Sequence, residues 1–211
     1  AMDSLAAAEA VLAEAATRYP EHARALYWLG DVRLRRGRPA DALPPLERAV
    51  AVQPAFVEAQ VKRAEALAGS GRLAEAAAAY RAALDADPVH LPGAWNDLGF
   101  LLLQQNRMAE ATPLFERAVA LDPDLVPALV NLGSVRMLAG ALDDAAAHFE
   151  QALRQEPDHL PALGNLGLVY AQLGRYEEAR ERLRRVLALA PGDARAAAAL
   201  DQVEQRIRER S

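Results

Sequence analysis

Six prolines, Pro20, Pro54, Pro88, Pro123, Pro157 and Pro191, stand 34, 34, 35, 34 and 34 residues apart. A fixed period of that length means one supersecondary unit copied along the chain, and it excludes folds that need a single non-repeating core. Other series keep the same register. Gly30, Gly99, Gly133 and Gly167 form one, with Ala64 standing in once. Ala42, Ala76, Ala111, Ala145 and Ala179 form a second. Four residues after each of these comes Leu46, Tyr80, Phe115, Phe149 or Leu183, and three further on Ala49, Ala83, Ala118, Ala152 or Val186. A turn series is Gly37, Gly71, Asn106, Gly140 and Gly174.

Each series has a physical task. Small residues let two helices approach closely while large ones fill the space beside them. Gly or Asn suits the residue that takes positive φ after a helix end. Proline stops the second helix, because its ring cannot continue the hydrogen-bond ladder. Each unit therefore reads helix, short turn, helix, short turn, and only stacked neighbours can bury its apolar face. Composition agrees: 49 of 211 residues are Ala, the best helix former. The bias of the cations, 23 Arg against the single Lys62, fits GC-rich bacterial coding rather than function.

The spacing Trp95, Leu98-Gly99, Leu102, Ala111, Phe115, Ala118, Pro123 resembles the tetratricopeptide repeat. The resemblance implies an all-α fold, a right-handed superhelical α-solenoid of stacked antiparallel helix pairs. Five full units fit residues 23–193, at 23–56, 57–91, 92–125, 126–159 and 160–193. Residues 1–22 read as a partial repeat holding only a second helix, with Ala8, Leu12, Ala15 and Pro20 in pattern. Residues 194–211 read as a capping helix with Ala197, Leu200, Val203 and Ile207 on its apolar stripe. Pro44, Pro45 and Pro113 fall early in second helices, which predicts short or slightly frayed first turns but no breaks.

Chemistry of other kinds finds little support. With no Cys, disulfide and thiolate chemistry is excluded. His22, His90 and His159 each follow a repeat-ending proline by two residues, so a whole repeat or more separates them, too far for one metal ion. No nucleotide-binding or nucleophile-elbow motif occurs. Acids outnumber bases 29 to 24 and aromatics make up 5%, against nucleic-acid binding. Apolar runs are too short to span a bilayer. The first ten residues hold no basic stretch ahead of an apolar one, so the expected location is cytoplasmic. No catalytic set, cofactor or metal is expected.

In this family the first helix of each unit lines a concave surface, and the resemblance carries that role to specific residues here. They are Tyr27 and Trp28 in the first unit, Lys62 in the second, and Asn96, Asp97, Phe100 and Leu103 in the third. The fourth gives Val130, Asn131 and Met137, and the fifth Asn165 and Leu168. A clamp for a terminal carboxylate, known in the family, needs Lys or Asn, then Asn, then Lys or Arg on three successive first helices. No run of matching positions presents that set, and some hold acids such as Asp31 and Asp97. The segments 95–99, 129–133 and 163–167 place Asp97, Asn131 and Asn165 at one register. That is similar to the asparagine ladder in the helical arm of protein O-GlcNAc transferases.

The expected function is a protein-interaction scaffold binding an extended or helical peptide segment, with no chemistry of its own. A recognition arm of a larger enzyme, such as a glycosyltransferase, is one alternative. Self-assembly through the repeat ends is the other.

Overall fold

Five turns set the architecture. In the computed structural model, which describes residues 2–210 (side chains from residue 4), Gly37, Gly71, Asn106, Gly140 and Gly174 all have positive φ, +59° at Asn106. Each turn folds two amides back onto the helix before it. At the first, the Gly37 N–H donates to the Leu34 carbonyl (2.8 Å) and the Arg38 N–H to the Arg33 carbonyl (2.9 Å). The pattern recurs at Asn106, where Arg107 N–H donates to Leu102 C=O at 2.9 Å. These bonds satisfy carbonyls that a helix end would otherwise orphan. Ala1 and Ser211, the outermost residues of the first and last expected segments, lie outside the described residues.

All regular elements among the described residues are α-helices. They are α1 (Met2–Arg18), α2 (Ala23–Arg35), α3 (Pro39–Val52), α4 (Val57–Gly69), α5 (Leu73–Ala86), α6 (Pro92–Gln104), α7 (Met108–Leu121), α8 (Val126–Leu138), α9 (Leu142–Gln155), α10 (Leu160–Gln172), α11 (Tyr176–Leu189) and α12 (Ala194–Arg208). The chain divides into two compact units, residues 1–107 with α1 to α6 and residues 108–211 with α7 to α12. The division falls between the two helices of the repeat expected at 92–125.

Within each unit every helix packs on the next in sequence. In the first unit α2 also touches α4. In the second, α8 touches α10 and α10 touches α12, while α7, α9 and α11 make no comparable contacts with one another. The even-numbered helices of that unit are therefore drawn together and the odd-numbered ones splay. The even row is the inner side of that unit.

The small and large series form the core. Ala42, Leu46 and Ala49, and their counterparts Ala76, Tyr80 and Ala83, Ala111, Phe115 and Ala118, Ala145, Phe149 and Ala152, and Ala179, Leu183 and Val186, are all at most 2% exposed. Glycine is required where the large member presses on the first helix. A Cβ on Gly133 would sit 2.9 Å from Cε1 of Phe149, and one on Gly30 would lie 2.3 Å from Cγ of Leu46. In α1 the equivalent Ala8, Leu12 and Ala15 are only half-buried, since that helix packs chiefly on α2. Polar bonds add to its attachment: the Glu9 carboxylate accepts from Arg33 Nε (3.0 Å), Arg38 Nη1 (3.1 Å) and Arg36.

Two expectations need correction. Pro44 and Pro45 do not shorten or fray their helix. It begins at Pro39 and runs unbroken to Val52, so both prolines lie beyond its first turn. A proline at 45 leaves the Asp41 carbonyl without its ladder donor. Arg33 Nη1 supplies one instead, at 2.8 Å. Likewise α7 begins at Met108, so Pro113 lies beyond its first turn, and the helix continues through it as expected. On α12 the deeply buried residues are Ala196, Ala199 and Val203. Ala197, Leu200 and Ile207 are half-buried at the edge of that stripe.

Candidate functional site

The inner row of the second unit carries the amides. Asn131 on α8 and Asn165 on α10 hold the same register, 34 residues apart, and both are half-buried. Asn165 Nδ2 donates to Ser134 Oγ across the two helices at 3.4 Å, and Ser134 Oγ donates to its own helix at Val130 C=O (2.7 Å). The side chain of Asn165 is thereby steered toward α8. Val130 and Met137 on α8 and Leu168 on α10 are each partly buried against the core. These α8 and α10 residues all lie in the second unit.

The first unit differs in chemistry. Trp28 on α2 is 47% exposed. Tyr27 is half-buried between Trp28, edge-on at 4.9 Å between ring centroids, and Phe56 at 5.0 Å. Lys62 on α4 is not a free cation. Its Nζ donates to Glu65 at 2.8 Å and lies 3.5 Å from Asp31, which is 2% exposed and also pairs with Arg35 at 2.7 Å. Burial pulls the ammonium pKa down, but Glu65 and Asp31 outweigh it and hold it above the ordinary lysine value. A ligand reaching Lys62 has to compete with those acids.

On α6, Asn96 departs from expectation. It is 6% exposed and donates through Nδ2 to Asp97 at 3.2 Å. It is a buried structural amide, not a presented one. Asp97 also accepts from Tyr80 Oη at 3.3 Å. Burial, with Glu65 nearby, pushes its carboxyl above the usual range despite these donors. Both oxygens of Asp97 are thus engaged within the first unit, and the residue is a poor match for a carboxamide rung. Phe100 remains 45% exposed and Leu103 is half-buried. Phe100, Asp97, Tyr80, Glu65 and Gln104 border a cleft of about 340 Å³.

Three of the four histidines serve the loops. Nδ1 of His22 accepts from Ala25 N–H (3.1 Å), and Nδ1 of His159 accepts from Ala162 N–H (3.3 Å), so each caps a helix. His90 lies 3.0 Å from Asp87. Among the described residues no three His, Cys, Asp or Glu side chains gather to hold a metal ion, and no helix is long and apolar enough to cross a membrane. The helix α12 presents Asp201 at the register that holds Gly133 and Gly167 in α8 and α10, and Glu204, paired with Arg184 at 2.7 Å, three residues on. One site went unread in the sequence: Gly164 and Arg195 border a cleft between α10 and α12. The only signal for it was a Gly at a register held by Asn96 and Val130 in the two preceding repeats.

Family models described as tetratricopeptide repeat match residues 67–135 and 136–203, and a second such model matches 1–51 and 32–90. Comparison with curated protein sequences yields no match. Among solved structures, the chain is similar to YrrB, described as a tetratricopeptide repeat protein with an unusual peptide-binding site, at 23% identity and TM-score 0.69, covering 89% of this chain and 96% of that one. It is similar to pilF of Pseudomonas aeruginosa at 23% identity and TM-score 0.79, over 89% and 85% of the two chains. A chain of the Cut9–Hcn1 hetero-tetramer gives 24% identity and TM-score 0.78, over 95% of this chain and 40% of that one. At these identities the likeness shows the fold.

Proposed function

This chain belongs to the tetratricopeptide repeat family, and from that premise we propose that it is an interaction scaffold holding an extended peptide segment of a partner protein along its inner helix row. The observation that carries the reading is the pair Asn131 and Asn165, set at one register on the touching helices α8 and α10, which also carry the partly buried Val130, Met137 and Leu168. A carboxamide donates to a backbone carbonyl and accepts from a backbone N–H at once, which recognises main chain without regard to its side chains. Helices pack about 8–10 Å apart and an extended peptide rises about 3.3 Å per residue, so one amide meets about every third residue. YrrB, with its peptide-binding site, is a relative in fold for which such use is described. The chemistry would parallel the asparagine ladder of the O-GlcNAc transferase arms, with two carboxamide rungs here, since the same register holds Asp97 and Lys62 in the earlier repeats.

Stacking of copies through α12 is the weaker reading. It would bring Asp201 to the position where Gly133 and Gly167 receive Phe149 and Leu183, burying a carboxylate against a large apolar side chain.

The test is a titration of a partner peptide, mapped from a pull-down, into the wild-type chain and the Asn131→Ala, Asn165→Ala double variant. Two neutral hydrogen bonds at about 0.5–1.5 kcal/mol each predict a loss of about 5–100-fold in affinity with little change in melting. Equal affinity for the two proteins overturns the amide reading.

A further inference from the structure

A cleft of about 320 Å³ opens between α10, α11 and α12, wholly inside the second unit. Its origin is local. A Cβ built on Gly164 would meet no atom within 4 Å, so the position has room for a side chain. Nor does its backbone need glycine, since its φ is not positive. Glycine weakens a helix interior, and nothing in the packing asks for it here. What its missing side chain leaves open is an apolar hollow, with Leu183 and Val186 at the base and Leu168, Ala196 and Ala199 on the walls. At the preceding junction of the inner row the same register holds Val130, which packs on the core.

The rim is polar and unevenly charged. Asn165 stands on the α10 side. Asp193 and Arg195 stand on the α12 side, but only one of them faces outward unoccupied. Asp193 Oδ1 accepts from Ala196 N–H at 2.8 Å and caps α12. Arg195 is exposed and makes no hydrogen bond or ion pair among the described residues. A cation in the first turn also opposes the helix dipole, so helix stability does not account for it. The volume lies at the low end of the range for ligand clefts, about 300–1,000 Å³, which suits one side chain better than a whole small molecule.

We propose that this cleft anchors the segment bound along the inner row by taking one of its aliphatic side chains, with an adjacent Asp or Glu of the same segment pairing with Arg195. The proposal rests on the peptide-binding reading above and adds to it a sequence preference. Amides at Asn131 and Asn165 read main chain; the Gly164 hollow and Arg195 read two neighbouring side chains. An unpaired guanidinium beside an apolar hollow complements that pair of residues, and disfavours a basic one by like-charge repulsion.

The experiment is selection of random heptapeptides displayed on phage against the immobilised 211-residue chain, followed by titration of the synthetic consensus peptide. The expected consensus has an aliphatic residue next to Asp or Glu. Gly164→Leu fills the hollow and weakens that peptide at least tenfold, while the variant melts no earlier than wild type. If the leucine variant melts early, Gly164→Val provides the same readout with the residue found at this register in α8. Arg195→Gln removes the preference for the acid and leaves the aliphatic preference. A consensus without the aliphatic–acidic pair, or a peptide that binds Gly164→Leu as well as wild type, overturns the cleft. In that event loss of the same peptide on Asn131→Ala shows that the inner-row reading survives without it. No enriched peptide at all overturns both.

Discussion

The close approach of Gly133 to Phe149 makes a prediction that changes sign with its surroundings. Replacing Gly133 by Ala adds one methyl group, which would lie 2.9, 3.0 and 3.1 Å from three ring carbons of Phe149. The ring is fully buried and has no free direction in which to move. Overpacking of this kind destabilises by about 1–3 kcal/mol. Against it stands the better helix propensity of Ala, worth about 1 kcal/mol. The net effect in the wild-type background is a loss of up to about 2 kcal/mol. In a Phe149→Ala background the ring is gone and only the propensity gain remains, so Gly133→Ala now stabilises by about 1 kcal/mol. Phe149→Ala alone costs about 3–5 kcal/mol. The coupling between the two positions is therefore about 1–3 kcal/mol, read as a double-mutant cycle by urea unfolding followed by circular dichroism. If Gly133→Ala stabilises both backgrounds equally, helix contact does not explain the glycine series, and the packing account given for the whole stack fails.

Three further outcomes follow from the turns, the Glu9 cluster and the Asp41 carbonyl. Asn106 is the one non-glycine residue in the positive-φ turn series, so Asn106→Gly raises stability and Gly37→Ala lowers it by about 1 kcal/mol, both measurable by denaturant midpoint. Burial raises the Glu9 carboxyl, but hydrogen bonds from Arg33 and Arg36 and the charge of Arg38 outweigh it and hold the pKa below 4.5. Because the folded value is depressed, this contribution is complete above the unfolded value and is lost as pH falls through the folded one. Hydrogen exchange in α1 should quicken relative to α3 below about pH 4.5, and a Glu9→Gln variant should lack that pH step. Arg33→Ala frees the Asp41 carbonyl as well as Glu9, and Pro45→Ala restores a ladder donor to that carbonyl; the cost of Arg33→Ala should therefore shrink by about 1 kcal/mol in the Pro45→Ala background, read by the same unfolding assay.

The helices and their turns were legible because each depends on a residue type that few others can replace. Positive φ at five turns requires Gly or Asn, and the close approach beneath Phe149 and Leu183 requires Gly. Such requirements repeat with the unit, so they show as a period. The early prolines were misjudged for the opposite reason. Position within the helix was read from spacing alone, while the rescue of the Asp41 carbonyl comes from Arg33 on another helix, a contact with no local signature.

The inner row was legible only as a face. Register located Asn131, Asn165, Asp97 and Lys62 together, but register says nothing of what a side chain is already bonded to. Asp97 is engaged by Tyr80, and Lys62 by Glu65 and Asp31, so residues at one repeat position differ in what they can offer a ligand. Asn96 was misplaced because one step around a helix turns a side chain from the face toward the neighbouring packing. The cleft beside Gly164 was missed on still simpler grounds. A period highlights what every unit keeps, and specificity for a partner is written in what one unit alone changes. In a stack whose buried series is at most 2% exposed from one repeat to the next, a departure on the inner row can alter binding without disturbing the core beneath it. That separation is why a fold shared at 23% identity with YrrB and pilF carries so little information about what this chain selects.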